Sequence, residues 1–377
     1  MIYFDNAATT FPKPPAVGAA MLACMRCAGG NPGRGSHSAA LRAAEIVYSC
    51  RCRAAEFFGV SDPARVVFTL NTTCALNTAL KSVLRPGDHV ISGDMEHNAT
   101  VRPLARMEER GITCSRFRMK QAPEALLAEI RSLIRPNTRV LVCTHASNIA
   151  GTTVPVAQIG KLCRERGILF VLDGAQSAGN MPIHIENMHV DILCVPGHKG
   201  LYGPQGCGMM LLGEKCPVGD TLIEGGSGVR SADVRMPEEL PEHFEAGTLP
   251  VPAIAGLEAG IRFVMQAGIG EIHAHECRLW RKAVQALSCM PRVHIADETE
   301  GAILLFRADG ILPAALAEAL DKQGICVRAG YHCAPLAHRA LGTEEHGAVR
   351  ISFGAMNTER EISIFADALC RILRENG

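Results

Sequence analysis

Aromatic side chains are scarce in this 377-residue chain, with one tryptophan, four tyrosines and twelve phenylalanines making up 5%. Its interior must be aliphatic, and a 47% hydrophobic content is ample for one large core and a smaller one. No charge sign is in excess: 38 Lys+Arg balance 38 Asp+Glu, for a formal net charge of zero. That balance argues against nucleic acid or an anionic membrane as the main partner and favours small polar or zwitterionic ligands. Long hydrophobic runs are missing too. The longest stretch without a formal charge, residues 140–160, holds Thr144, His145, Ser147, Asn148, Thr152 and Thr153, which a bilayer-spanning helix does not tolerate. The first residues carry neither a signal peptide's apolar block nor an Arg-rich transit pattern, so a cytoplasmic location is expected. Cysteine, in contrast, is plentiful. Sixteen are scattered at irregular spacing, which reads as free thiols in a reducing compartment.

Short apolar runs at 66–70, 90–92, 140–144, 169–173, 192–195 and 208–212 alternate with helix-period segments at 73–84, 99–110, 123–134 and 156–166. Runs without polar alternation are strands covered on both faces, so the pattern predicts a mostly parallel α/β sheet with right-handed crossovers. Near residue 250 the pattern changes to one long helix-prone stretch, 252–290, followed by strands near 302–306 and 349–353 and helices at 313–323 and 358–374. The expected division is a large domain over 15–259 and a small α+β domain over 260–377, with residues 1–14 packing near the active site.

Ligands of an open parallel sheet bind beyond the carboxyl ends of its strands. The residues there are polar. Asn71-Thr72-Thr73 opens a helix, where backbone N–H groups, hydroxyls and the helix dipole suit a phosphate or, equally, form an ordinary cap. His97 and His145 follow two further strands. Asp173 ends a fourth, and Lys199 sits in the Gly-rich turn after a fifth. An anion cradle, a strand-end carboxylate and a turn lysine together suggest pyridoxal 5'-phosphate: the lysine as Schiff-base partner, the Asp on the pyridine nitrogen, the helix terminus on the phosphate. No His/Cys/Asp set has metal-site spacing; Cys24-x-x-Cys27 and Cys50-x-Cys52 lie in helix-prone segments and read as packed thiols.

Eight segments then occur in the order seen in one family: Asp5-Asn6-Ala7-Ala8-Thr9-Thr10, Asn71-Thr72-Thr73, Glu96-His97, Ser147-Asn148, Asp173-Gly174-Ala175-Gln176-Ser177, Gly197-His198-Lys199, Phe244-Glu245-Ala246-Gly247-Thr248 and Arg328-x-Gly-x-His-Cys333. Across nearly its whole length the chain resembles the class V, fold type I pyridoxal-phosphate enzymes of the cysteine desulfurase and selenocysteine lyase group. The resemblance implies that Lys199 is the Schiff-base lysine, that Asp173 pairs with the pyridine nitrogen, that Gln176 reaches the ring hydroxyl and that His97 stacks on the ring. Thr72, Thr73 and His198 would hold the phosphate. Asn148 and Arg350 would grip the substrate α-carboxylate, with Arg328 a supporting charge. The 225–228 loop, with Ser227, would reach the phosphate of a neighbouring subunit, making a homodimer.

The short Arg-x-Gly-x-His-Cys form is similar to group II desulfurases and makes Cys333 the nucleophile, its basic neighbours favouring thiolate. The implied reaction converts L-cysteine to L-alanine and leaves the sulfur on Cys333 as a persulfide for an acceptor protein, with His97 assisting proton transfers. L-selenocysteine, or another amino acid handled by a β-lyase or aminotransferase, is the alternative substrate, and a non-catalytic scaffold is the reading from another class. Pro196, Cys74 and Tyr331 depart from the common family pattern and point to a less typical branch.

Overall fold

The structure is a computed structural model and describes residues 1–33 and 35–375. In its first half, β1 (Ile2–Tyr3), α1 (Pro15–Cys27), α2 (Ser38–Phe58), β2 (Val66–Thr69), α3 (Thr72–Val83), β3 (His89–Gly93), α4 (Asn98–Glu108), β4 (Thr113–Phe117) and α5 (Pro123–Leu133) follow in order. Then come β5 (Thr138–Thr144), α6 (Val156–Arg166), β6 (Leu169–Asp173), β7 (Ile192–Pro196), β8 (Gly208–Leu212), α7 (Val251–Ala267) and α8 (Ile269–Ser288). The remainder comprises β9 (Val293–Ile295), β10 (Ile303–Ala308), α9 (Pro313–Asp321), β11 (Ile325–Cys326), β12 (Arg328–Gly330), α10 (Pro335–Ala340), β13 (Ala348–Ser352) and α11 (Glu359–Glu375).

A seven-stranded sheet in the order β2-β8-β7-β6-β5-β3-β4 forms the large layer among the described residues, with β8 antiparallel to both neighbours and the β7-β6-β5-β3-β4 pairings parallel. This is the mostly parallel α/β sheet expected. Strands β5 to β8 are buried almost throughout, since helices cover both faces. The second layer is an antiparallel sheet, β12-β13-β10-β9, with α8, α9 and α11 packed on it around Phe4, Phe306, Phe365 and Trp280. A short parallel pair, β1 with β11, ties the amino-terminal segment to that layer.

Two details differ from the expected pattern. The stretch 252–290 is two helices, broken where Gly268 takes φ +83°, outside the helical range of an L residue. Strand β4 carries little apolar pattern because it lies at the sheet edge, with Thr113 and Arg116 exposed and only Phe117 fully buried. All sixteen cysteines are unpaired. No helix among the described residues is long and apolar enough to cross a membrane.

The loop after β6 and the turn after β7 meet at two glycines. A Cβ added to Gly179 would lie 2.0 Å from the Gly200 carbonyl oxygen, and Gly179 has φ +97°. That approach locks the Asp173 loop against the Lys199 turn. Gly179→Ala is expected to destabilise the fold by about 2 kcal/mol or more, from overpacking and an unsuitable φ together. A urea titration would register a lower midpoint, and an unchanged one would mean that the two loops can separate at little cost.

Candidate active site

A cavity of about 320 Å³ opens at the carboxyl ends of the large-sheet strands and is closed on the other side by the small layer. Lining it are Thr72, Thr73, His97, Asn148, Asp173, Gln176, His198, Lys199, Arg328, Cys333 and Arg350, which is every site residue expected from the sequence except Ser227. Ser227 lies in the 225–228 loop beside Gly33, away from the cavity of its own chain.

Strand ends supply the first group. Asn71 caps α3, its side-chain oxygen accepting from the Cys74 amide at 2.9 Å, so Thr72 and Thr73 head the helix at its positive end. Thr72 is buried and its hydroxyl has no partner; His198 Nδ1 is likewise enclosed and unpartnered. Unpaired buried polar atoms beside a helix N-terminus suit an anion. Asp173, 2% exposed, ends β6 and accepts from the Ala175 amide at 2.9 Å. Burial raises its pKa, opposed by that amide and by the Lys199 charge.

Lys199 follows β7, half-buried where it lines the cavity. Burial pulls its ammonium down to about 8 against the stabilising charge of Asp173, while Arg350 and Arg328 push in the same direction as burial. A lysine so placed is nucleophilic near neutral pH. His97 caps α4, its Nδ1 accepting from the Ala99 amide at 3.0 Å. Burial and the nearby cations, Lys199 foremost, bring its pKa to about 4, so it is a neutral ring with the proton on Nε2. Gln176 donates to the Ala7 carbonyl at 3.0 Å, bringing the amino-terminal segment over the same space.

The small layer supplies the rest. Arg350, 1% exposed in β13, donates from Nη2 to Asp5 Oδ1 at 2.6 Å and from Nη1 to the Asn148 carbonyl at 2.8 Å. Its Nε is buried without a partner, as is Asn148 Oδ1. Cys333 is exposed at the rim in a left-handed conformation, φ +57°, next to His332 at φ +50°. The Asn148 amide holds the His332 carbonyl at 2.7 Å.

Several residues that the sequence shows only as parts of family segments, with no role attached, have partners in this arrangement. Asp5 is the carboxylate partner of Arg350, yet 345 positions separate them. Asn6 donates to two acceptors in the small layer, the Ser352 carbonyl at 3.1 Å and Asn357 Oδ1 at 3.0 Å. Glu245 pairs with Arg51 in a buried bridge and accepts from the Phe68 amide at 2.6 Å, fixing its own loop against β2. Glu96 is wholly buried, accepts from the Thr144 amide at 2.9 Å, and is pushed up to about 8 by burial, so it is held protonated near neutrality.

The sequence profile of the family described as aminotransferase class-V matches residues 2–365. The chain is 32% identical over 379 residues to a probable cysteine desulfurase of Methanothermobacter thermautotrophicus, covering 98% of this chain and 94% of that one. It is 34% identical over 383 residues to a probable cysteine desulfurase of Mycolicibacterium paratuberculosis, where 99% of this chain spans 55% of the relative's length. Among solved structures, the apo cysteine desulfurase of Thermococcus onnurineus NA1 superposes with a TM-score of 0.91 at 29% identity, covering 99% of this chain and 95% of that one. A cysteine desulfurase of Escherichia coli with an S-sulfonic acid gives 0.90 at 26% identity, over 100% and 95% of the two chains.

Proposed function

The chain belongs to the aminotransferase class-V family, and on that premise we propose that it is a pyridoxal 5'-phosphate-dependent cysteine desulfurase. It takes the sulfur of L-cysteine onto Cys333 as a persulfide and releases L-alanine. The observation that carries this reading is the cavity that gathers Asp173 and Lys199 from the large layer with Cys333 and Arg350 from the small one.

The residues present fit the cofactor. Thr72 Oγ1 and His198 Nδ1, buried and unpartnered beside the α3 N-terminus, would take the phosphate, with Thr73 next to them. Asp173 would hold the pyridine nitrogen, Gln176 the ring hydroxyl, and neutral His97 would lie on the ring face. Lys199 would carry the covalent link. When bound there, the cofactor supplies an electron sink for charge developing at the substrate Cα. The Lys199 amine would also serve as the base for the Cα proton, because its lowered pKa leaves much of it unprotonated near pH 8. Arg350 and Asn148 orient the substrate by its carboxylate, and Cys333 waits at the rim to receive sulfur.

A homodimer would complete the site by bringing Ser227 of one protomer to the phosphate end of the other. Leu22, Met25, Leu41 and Tyr48 on α1 and α2, with Leu70 and Ile223 in loops of the large layer, are exposed apolar side chains that such an association would cover. A sulfur-acceptor protein would collect the persulfide at the exposed rim, and the free thiols suit a cytoplasmic setting.

The test is alanine and persulfide release from L-cysteine by the purified, cofactor-loaded protein; absence of both would overturn the reading. Arg350→Lys probes the carboxylate grip. An ammonium cannot serve Asp5, the Asn148 carbonyl and a substrate carboxylate from one plane, so the KM for L-cysteine is expected to rise about tenfold or more with the cofactor's visible absorbance kept. Steady-state titration of L-cysteine measures it, and an unchanged KM would place the carboxylate elsewhere.

A further inference from the structure

Two consecutive non-glycine residues, His332 and Cys333, hold positive φ at the pocket rim. L side chains avoid that region, and such strain persists only where the surroundings over-determine it. Two supports hold the main chain: the Asn148 side chain on the His332 carbonyl and the Asn98 amide on the Cys333 carbonyl, each at 2.7 Å.

The third support is a file of side chains behind the turn. The Arg328 carbonyl can only accept, so at 3.2 Å it must receive the proton of His332 Nε2. That leaves His332 Nδ1 as an acceptor, and His338 Nε2, 3.1 Å away, must be its donor. His338 Nδ1 is then an acceptor in turn, and the Thr343 hydroxyl, 2.7 Å from it and 3.3 Å from the His338 carbonyl, gives its one proton to the nearer acceptor. Every proton in the file has one consistent direction. His338 and Thr343 are fully buried and His332 nearly so, and burial lowers the pKa of both imidazoles, which keeps them neutral and this direction intact. Of His332, His338 and Thr343, only His332 lines the cavity, beside Arg328 whose carbonyl it holds.

We propose that His338 and Thr343 are positioning residues that act through His332 to fix the Cys333 turn and so to set where the nucleophilic sulfur stands. The inference rests on the cysteine desulfurase reading for its kinetic readout, and on the structure alone for its exchange readout.

Three variants test it in the holoenzyme. His338→Gln keeps a donor where Nε2 stands, Thr343→Val keeps the shape but removes the far donor, and His338→Leu removes the link. His338→Leu is expected to lower kcat for alanine release about 10²-fold, the order produced by an ångström-scale misplacement, with KM for L-cysteine little changed. Thr343→Val is expected to lose about tenfold in kcat, the value of one buried hydrogen bond, while His338→Gln stays within a few-fold of the parent. Hydrogen exchange over residues 328–341, followed by mass spectrometry, is expected to quicken in His338→Leu and Thr343→Val and to stay at the parent rate in His338→Gln.

Parent kcat in a folded Thr343→Val and His338→Leu would overturn the proposal, as would a Gln variant no better than Leu. If His338→Leu fails to fold, the other two variants decide by the same criteria. If the parent releases no alanine, the desulfurase reading falls by itself, and unchanged exchange over 328–341 in the folded variants would overturn the positioning inference separately.

Discussion

Cys333→Ala is expected to lower alanine release from L-cysteine by about 10³-fold or more while leaving the cofactor's visible absorbance in place. In the proposed transfer the Cys333 thiolate attacks the substrate Sγ. The new S–S bond forms as the Cβ–Sγ bond breaks, and its electron pair stays with the carbon that becomes the methyl of alanine. No second cysteine lines the cavity among the described residues, so no neighbour can substitute. Because Cys333 is exposed and the substitution leaves its main-chain hydrogen bond to the Asn98 amide in place, the alanine variant should unfold within about 0.5 kcal/mol of the parent. L-selenocysteine separates the two roles of the site: selenide is the better leaving group, so the variant should retain much more alanine release from it. Equal loss with both substrates would mean that Cys333 serves something other than sulfur capture, and parent activity with L-cysteine would remove it as the nucleophile.

Lys199→Ala is expected to abolish the lysine-dependent visible band and to reduce alanine release by about 10³-fold or more, since in the proposed function one amine would serve both as the covalent anchor and as the base. The surroundings of this lysine also predict a pH dependence. Burial, helped by Arg350 and Arg328, brings its pKa to about 8 despite Asp173. A lowered pKa means that the free amine appears as pH rises through 8. The rate at which cofactor-free protein captures pyridoxal phosphate should therefore climb through about pH 8 and level off above it. An unperturbed lysine would keep the rate climbing to about pH 10. Stopped-flow absorbance after mixing would record the profile, and a rate still rising at pH 10 would show the amine to be solvated before capture.

What can be read from the sequence is local. Asp173 and Lys199 stand where apolar strands stop, and Thr72 and Thr73 where a helix begins, so a strand-by-strand reading finds them. Arg350 sits inside a strand and is reached only through the family resemblance. Its partner Asp5 belongs to a recognisable motif that gives it no role, because an ion pair across 345 residues leaves no periodicity behind. The same holds for His338, a histidine in a short helix whose importance depends on a neighbour six positions earlier adopting a left-handed turn. Gly268 divides two amphipathic helices whose patterns run together, and only its positive φ separates them. The 225–228 loop stays apart from the cavity of its own chain, and no spacing rule relates a loop to a second protomer.

The threading of the amino-terminal segment sets an order of events during synthesis. Ile2 and Tyr3 pair with Ile325 and Cys326, Asn6 is held by Ser352 and Asn357, and Thr9, Thr10 and Lys13 close on the His198 carbonyl. The large sheet can assemble while the ribosome is still adding the small layer, but Arg350 follows Asp5 by 345 residues and the partners of Asn6 come later still. The nascent chain therefore carries an open half-site until the small layer emerges, and completion of the pocket coincides with this long-range closure of the fold.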